Sequence, residues 1–205
     1  MIALIDYGIG NLQAFLNLYQ RLHIPVIVAT NPEDIEQADK LILPGVGHFD
    51  YAMQLFNASP MRDTIVRRVL EEDVPILGIC VGMQMLAFSS DEGDEPGLGW
   101  IPGHVRSLKD TLAHTNLPMP HMGWNDVLAA EDAPLFRHFI SDDTRFYFLH
   151  SYYFEPQSAE YCMAKCDYGV PFSCAVRNGR VFGVQFHPEK SHHFGEQLLK
   201  NFAEL

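Results

Sequence analysis

The chain has 205 residues, 47% hydrophobic and 20% charged, which is typical of a soluble globular protein with a substantial core. Its formal net charge of -12, from 14 basic and 26 acidic residues, disfavours contact with nucleic-acid phosphates. No apolar run approaches the roughly 18 residues that span a bilayer, and Met1–Gln20 lacks the basic start of a signal peptide. The sequence therefore predicts one domain over residues 1–205, in the cytoplasm, with no nucleic-acid or membrane partner.

Potential metal ligands are plentiful but poorly spaced for a metal. Without an export signal the four thiols are expected to be reduced and free. Three cysteines lack the paired short spacings of zinc sites and are interpreted as core residues: Cys162, Cys166 and Cys174. His187, His192 and His193 are close in sequence but lack a second ligand at helical spacing, and His192-His193 is interpreted as a solvated loop. We expect neither a metal nor a cofactor.

In the first half, short apolar runs alternate with amphipathic runs. Strands are predicted at Met1–Ile5, Val26–Ala29, Lys40–Leu43 and Pro75–Ile79. Helices are predicted at Leu12–Leu22, Met61–Glu72 and Val81–Phe88. This alternation is typical of a parallel sheet with helices on both faces.

The second half is richer in strands. They are predicted at Val105–Leu108, Arg145–Leu149, Tyr161–Cys166, Ser173–Arg177 and Arg180–Gln185. Asn178-Gly179 predicts a hairpin turn, and an amphipathic helix is predicted at about His193–Ala203. The predicted fold class is α/β, a largely parallel sheet flanked by helices on both faces and extended by antiparallel strands. Ligands of such sheets bind beyond the carboxyl ends of the parallel strands.

A cysteine follows one predicted strand in the sequence Gly78-Ile79-Cys80-Val81-Gly82. Strand, tight turn and helix in this order are typical of a nucleophile elbow, in which the flanking glycines avoid crowding. The partial positive charge at the N-terminus of the following helix also favours the thiolate form of this side chain. The sequence therefore predicts a nucleophilic Cys80, although a buried structural cysteine is an alternative.

Two further segments supply the groups that a cysteine nucleophile needs. His187-Pro188-Glu189 follows the run Val181–Phe186, so His187 can move a proton while Glu189 orients its ring. Pro44-Gly45-Val46-Gly47 follows another strand and can turn backbone N–H groups toward an oxyanion. Each segment alone is also compatible with an ordinary loop.

Two other segments have competing interpretations. Gly8-Ile9-Gly10 suggests a dinucleotide-binding turn, but the third glycine of that fingerprint is replaced by Gln13, so a simple strand-to-helix turn is favoured. Leu117–Asn125 contains two prolines and a glycine and is interpreted as an irregular surface loop. Trp124 in this loop is typical of an aromatic anchor for a partner.

Taken together, three segments closely resemble class I (triad-type) glutamine amidotransferases: Pro44-Gly45-Val46-Gly47, Gly78-Ile79-Cys80-Val81-Gly82-Met83-Gln84 and Phe186-His187-Pro188-Glu189. Other segments are similar to the glutaminase subunits of imidazole glycerol phosphate synthases: Asp6-Tyr7-Gly8-Ile9-Gly10-Asn11-Leu12, Gly97-Leu98-Gly99, Pro120-His121-Met122-Gly123-Trp124-Asn125, His150-Ser151-Tyr152 and Lys190-Ser191. The resemblance runs from Ile2 to about Phe202.

The resemblance implies a flavodoxin-like fold and a Cys80, His187 and Glu189 triad that hydrolyses glutamine to glutamate and ammonia. It implies that Val46 and Gly47 line the oxyanion loop. It implies further that glutamine is held by Gln84, Glu92, His150, Ser151 and Tyr152. The implied partner is a (β/α)₈ barrel cyclase subunit, which faces Asn11, Met122 and Trp124. This heterodimer would make imidazole glycerol phosphate and aminoimidazole carboxamide ribotide in histidine biosynthesis.

Three alternatives remain open. A paralogous glutaminase that feeds a sugar-amidating enzyme of surface polysaccharide synthesis is compatible with departures at Leu117-Pro118-Met119, where the family often has a basic residue, and at His192-His193-Phe194. A cysteine peptidase or deglycase has the same nucleophile elbow. A non-enzymatic scaffold would have kept the fold without using Cys80.

Overall fold

The computed structural model describes residues 1–112, 116–139 and 143–205. These residues form thirteen strands, β1 to β13: Ile2–Ile5, Val26–Ala29, Lys40–Gly45, Ile76–Cys80, Ser89–Ser90, Gly103–Ser107, His121–Asp126, Leu128–Ala129, Arg145–His150, Tyr152–Pro156, Cys162–Asp167, Pro171–Asn178 and Val181–Val184. They form seven α-helices, α1 to α7: Leu12–Arg21, Pro32–Glu36, Phe49–Ala58, Arg62–Leu70, Val81–Gln84, Leu108–Thr111 and His192–Ala203. Short 3₁₀ helices lie at Pro134–Phe136, Ala159–Tyr161 and Pro188–Lys190.

Eleven of the described strands form one sheet. Along its main path the order is β2-β1-β3-β4-β13-β12-β10-β6-β5, with β11 also paired to β12 and β8 to β11. The first five strands of this path are parallel, and the next three pairings are antiparallel. The predicted parallel sheet with an antiparallel extension is therefore confirmed.

The central strands are apolar throughout because both of their faces are covered. All described positions of β1, β4 and β13 are buried, which is the pattern of parallel strands between two helical layers. The α1 and α7 helices pack together, and the Tyr19 hydroxyl donates a 3.2 Å hydrogen bond to the Leu199 carbonyl. The α3 helix contacts α4 and α5.

A separate antiparallel pair, β7 and β9, lies beside the main sheet, with His121 opposite His150 and Trp124 opposite Tyr147. Buried aromatic rings fix its position. Phe146 of β9 stacks on Phe186, which follows β13, with ring centroids 3.9 Å apart. Burying one such ring contributes about 1.5–3 kcal/mol, so this contact holds β9 against the carboxyl end of β13.

Three predictions about local structure were wrong or incomplete. The α5 helix ends at Gln84 instead of Phe88, because the carbonyls of Met85 and Ala87 accept hydrogen bonds from the Leu98 and Gly99 amides. The predicted loop Leu117–Asn125 is irregular only up to Pro120. The residues that follow, His121–Asp126, form strand β7 and pair with β9. The α2 and α3 helices were not predicted. Among the described residues, no helix is long and apolar enough to cross a membrane.

Candidate active site

The predicted site residues meet where β3, β4 and β13 end. These strands are neighbours, with Gly45 opposite Cys80 and Val184 opposite Ile79. Val46, Gly47, Cys80 and His187 therefore leave adjacent strand ends and line one cavity of about 300 Å³. The position at the carboxyl end of the parallel strands is the one expected for a ligand site.

The Cys80 backbone is strained. Its φ is 56° and its ψ is -114°, a conformation that non-glycine residues rarely adopt. Such strain costs on the order of 1–3 kcal/mol and persists only where the surroundings enforce it. Here it turns the chain from β4 directly into α5, so that Cys80 lies at the bend of a nucleophile elbow.

Close backbone contacts enforce this turn. A Cβ atom at Gly78 would lie 2.5 Å from the Gly82 carbonyl oxygen, and one at Gly82 would lie 2.0 Å from the Leu43 carbonyl oxygen. A Cβ atom at Gly45 would lie 2.4 Å from the Gly82 nitrogen. A side chain at either predicted elbow glycine, Gly78 or Gly82, would therefore clash with backbone atoms. The same holds for Gly45.

His187 is buried between the Cys80 thiol and the Glu189 carboxylate. Its Nδ1 lies 2.9 Å from Glu189 Oε1, and the ring lines the same cavity as Cys80. Burial alone would lower the pKa of His187, but hydrogen bonds and charge from Cys80 and Glu189 outweigh it and raise the pKa to about 10. Ser191 fixes this segment, since its hydroxyl donates to the His187 carbonyl at 2.6 Å and accepts from the Tyr147 amide at 3.0 Å.

The predicted oxyanion segment lines the same cavity as His187. Gly47 has a φ of 87°, which favours glycine, and the Val46 side chain is exposed. The turn after β1 anchors the oxyanion segment, because the Tyr7 hydroxyl donates a 2.7 Å hydrogen bond to the Pro44 carbonyl. A Cβ atom at Gly10 would lie only 3.0 Å from Pro44, so Asn11 is close to this segment as well.

All five predicted glutamine-binding residues line the same cavity: Gln84, Glu92, His150, Ser151 and Tyr152. Glu92 Oε2 accepts a 2.9 Å hydrogen bond from the Phe49 amide at the start of α3. Both nitrogens of the His150 ring are bonded within the protein, to the Tyr152 carbonyl and to His121. Among the described residues, no group of three or more His, Cys, Asp or Glu is arranged to hold a metal ion.

The His121–His150 pair was not predicted. His121 Nδ1 lies 2.9 Å from His150 Nε2, and both rings are buried. Burial lowers the pKa of His121 to about 4. Burial, followed by the charges of His121 and His187, lowers the pKa of His150 to about 3. Both imidazoles are therefore neutral at pH 7.

Gln185 is another site residue that was not predicted from the sequence. Its side chain is fully buried, and its Nε2 lies 3.9 Å from Cys80 Sγ. Its Oε1 accepts a 3.1 Å hydrogen bond from Gln84 Nε2. The available signal was that Gln185 is the one polar residue in the run Val181–Phe186.

The residues predicted to face a partner are exposed. Met122 and Trp124 are 63% and 42% exposed, and Asn11 is exposed at the N-cap of α1 without a side-chain capping bond. His192 is the first residue of α7, not part of a solvated loop, and its ring stacks on Trp124 with centroids 5.4 Å apart. Leu149 and Val46 are exposed at the cavity itself. We call Val46, Met122, Trp124 and Leu149 the apolar rim.

The elbow contacts predict the effect of a single methyl group. Gly82→Ala should lower the free energy of unfolding by about 1–3 kcal/mol, because its Cβ meets backbone atoms that cannot move freely. Gly93→Ala is the control with a smaller expected loss, since the atoms nearest its Cβ belong to the Asp50 carboxylate, a side chain that can move at the cost of its hydrogen bonds from the Asp94 and Glu95 amides. Urea denaturation of both variants measures the difference. Equal losses would contradict the contact.

The buried histidine pair predicts a pH dependence of stability. In the unfolded chain both pKa values return to about 6.5. As the pH falls from about 6 to 4, only the unfolded state gains these protons, so the free energy of unfolding falls by up to about 1.4 kcal/mol per pH unit for each histidine. Urea denaturation at several pH values should show a shallower fall for His121→Asn than for the wild type. Equal slopes would contradict a buried, neutral His121.

The model of the family "Glutamine amidotransferase class-I" matches residues 3–205. The chain is 56% identical to the imidazole glycerol phosphate synthase subunit HisH of Bdellovibrio bacteriovorus, and the match covers 100% of both chains. It is 46% identical to subunit HisH 2 of the same enzyme from Pseudomonas aeruginosa, again over 100% of both. A solved structure of PurLQS from Thermotoga maritima has the same fold, with a TM-score of 0.75 at 16% identity over 99% of this chain and 97% of that chain. The chain belongs to the class I glutamine amidotransferases.

Proposed function

We propose that the chain hydrolyses glutamine to glutamate and ammonia, with Cys80 as nucleophile, His187 as general acid and base, and Glu189 as the group that orients His187. The observation that carries this proposal is the strained elbow at Cys80, which lines one cavity with a buried imidazole whose Nδ1 lies 2.9 Å from a buried carboxylate. A nucleophile, a base and an orienting acid in this arrangement are the components of covalent acyl transfer.

In the first half of the reaction, the Cys80 thiolate attacks the side-chain amide carbon of glutamine. Backbone N–H groups of the Val46–Gly47 segment and of Val81 stabilise the oxyanion, a contribution of about 2.7–4 kcal/mol for one such donor. His187 is charged at neutral pH because its pKa is raised, so it can protonate the departing nitrogen. The carbon–nitrogen bond breaks, ammonia leaves, and a glutamyl thioester remains on Cys80.

In the second half, His187 takes a proton from water, and the resulting hydroxide attacks the thioester carbon. The carbon–sulfur bond breaks and glutamate leaves. With the proton that His187 took from water, the starting pair of Cys80 thiolate and charged His187 is restored. Glu189 keeps Nδ1 of His187 engaged throughout, so that the other ring nitrogen faces the reacting atoms.

The ammonium and carboxylate groups of glutamine would be recognised by other residues that line the cavity. Glu92 carries a negative charge and suits the ammonium group of the substrate. Ser151 and Tyr152 line the wall beside it, and Gln84 contributes a side-chain amide. His150 has both nitrogens engaged within the protein, so its role would be to support this wall.

We further propose that the chain works as a subunit beside a (β/α)₈ barrel cyclase in the cytoplasm. The relatives with 41–56% identity are named as subunits of imidazole glycerol phosphate synthase. The apolar rim supports a partner that covers the cavity mouth, since exposed apolar clusters commonly form interfaces. Such a cover would let ammonia pass to the partner for synthesis of imidazole glycerol phosphate and aminoimidazole carboxamide ribotide, and we expect low glutaminase activity without it.

The triad assignment predicts the effect of removing the thiol. Cys80→Ala should lower glutamine hydrolysis by about 10⁴-fold or more, as expected when the nucleophile of such a triad is lost, while partner binding is retained. Cys162→Ala is the matched control, because this half-buried thiol lies on β11, away from the cavity. Glutamate release by the complex is the measurement. Substantial activity in Cys80→Ala would refute the assignment.

The interface assignment predicts the effect of removing the exposed indole. Trp124→Ala should weaken binding of the barrel cyclase by about 2 kcal/mol, or roughly 30-fold in Kd, as is typical of an aromatic anchor. Leu128→Ala is the control, because Leu128 is 69% exposed but lies on β8 outside the apolar rim. Calorimetric titration with the cyclase measures both. Equal affinities of the two variants would contradict this placement of the partner.

A further inference from the structure

A line of hydrogen bonds connects the strand β7 to the wall of the cavity. Asn125 Nδ2 lies 3.2 Å from His121 Nε2, and His121 Nδ1 lies 2.9 Å from His150 Nε2. His150 Nδ1 lies 2.8 Å from the Tyr152 carbonyl oxygen. We call these four residues the imidazole relay.

The direction of every bond in the imidazole relay is determined by its ends. The Tyr152 carbonyl can only accept, so His150 Nδ1 carries the hydrogen and His150 Nε2 of the neutral ring accepts. His121 Nδ1 must then donate, and its Nε2 accepts from the Asn125 amide. The same Asn125 nitrogen donates to the Asp167 carbonyl at 2.9 Å, which fixes the orientation of the amide. The relay therefore has one donor pattern.

The Tyr152 end of the imidazole relay is connected to the predicted nucleophile, Cys80, through Gln84 and Gln185. The Tyr152 carbonyl also accepts a 3.0 Å hydrogen bond from Gln84 Nε2. The same amide nitrogen donates to Gln185, whose Nε2 is 3.9 Å from Cys80 Sγ. His150, Tyr152 and Gln84 all line the cavity. A shift of His121 would therefore move residues that line the proposed glutamine-binding cavity.

Asn125 and His121, at one end of the relay, belong to β7, the strand that carries Met122 and Trp124 of the apolar rim. His121 is buried, whereas Met122 and Trp124 on the same strand are exposed. The His121 ring is held between Phe148 and Tyr168, with centroids 4.7 Å and 4.1 Å away and interplanar angles of 22° and 25°. Its freedom to rotate is small, so a displacement of β7 moves the ring rather than being absorbed by it.

We propose that His121 is a positioning residue that ties the partner-facing strand β7 to the glutamine-binding wall through His150. The inference rests on the proposed glutaminase function and extends it to a residue that does not line the cavity. His121 holds the His150 ring, His150 holds the Tyr152 carbonyl, and that carbonyl holds the Gln84 amide. Docking of a partner on Met122 and Trp124 would set the position of this wall.

Two substitutions separate the hydrogen bond from the volume of the ring. His121→Phe keeps a flat ring between Phe148 and Tyr168 but removes the donor to His150. His121→Asn loses ring volume but keeps an amide nitrogen close to the place of Nδ1. We expect His121→Phe to raise the KM for glutamine about tenfold in the complex with little change in kcat, because substrate binding is weakened uniformly. We expect His121→Asn to stay within about threefold of the wild-type KM.

Stimulation by the partner is a second readout, and a merely structural role would not change it. The ratio of kcat/KM with and without the barrel cyclase should fall several-fold in His121→Phe and remain near the wild-type ratio in His121→Asn. Labelling of Cys80 with a glutamine-mimicking electrophile counts the active sites, so that a loss of folded enzyme is not taken for a lower kcat. If His121→Phe does not fold, Asn125→Ala tests the same relay from its half-buried end, with an expected KM increase of about threefold.

The inference is overturned if folded His121→Phe has a wild-type KM and wild-type stimulation, if both His121 variants lose activity equally, or if only kcat falls. It is equally overturned if His121→Phe does not fold and Asn125→Ala has an unchanged KM. A wild-type complex that does not hydrolyse glutamine would instead refute the proposed function, together with everything that rests on it.

Discussion

The whole site depends on the close approach of three glycine-containing backbone segments around Cys80. Gly45, Gly78 and Gly82 let the end of β3 and the start of α5 come within contact distance, and any side chain there would meet backbone atoms. This packing holds Cys80 at a φ of 56° against a cost on the order of 1–3 kcal/mol. Because β3 and β13 are the two neighbours of β4, the same packing brings the Val46–Gly47 segment and His187 to the thiol.

Two buried histidines beside this cavity have opposite electrostatic properties, and their neighbours explain the difference. Burial disfavours the charged form of both rings. His187 faces a thiol and a carboxylate, which outweigh burial and raise its pKa. His150 faces a carbonyl oxygen and a second imidazole, and burial outweighs its hydrogen bond to the Tyr152 carbonyl, so its pKa falls to about 3. One ring is thus suited to proton transfer, and the other to holding a fixed hydrogen-bond direction.

Local patterns predicted some elements well and others poorly. The strand Val26–Ala29 was predicted with its observed limits, because its apolar run is bounded by loop residues. The helix after Cys80 was predicted too long, because the residues that follow Gln84 are apolar whether they continue a helix or pack under the 97–101 segment. The strand β7 was interpreted as a loop, since the prolines and glycine near it gave a stronger local signal than its pairing with β9.

By itself, the sequence determined the parallel sheet, the elbow at Cys80 and the His187-Pro188-Glu189 segment, because each is encoded in a short run of residues with its own backbone requirement. Only the tertiary structure decided that Gln185 approaches Cys80 and that His121 meets His150. The physical reason is that these contacts depend on strand register: His121 and His150 are opposite each other in β7 and β9, and a shift of one residue would point either ring to the other face.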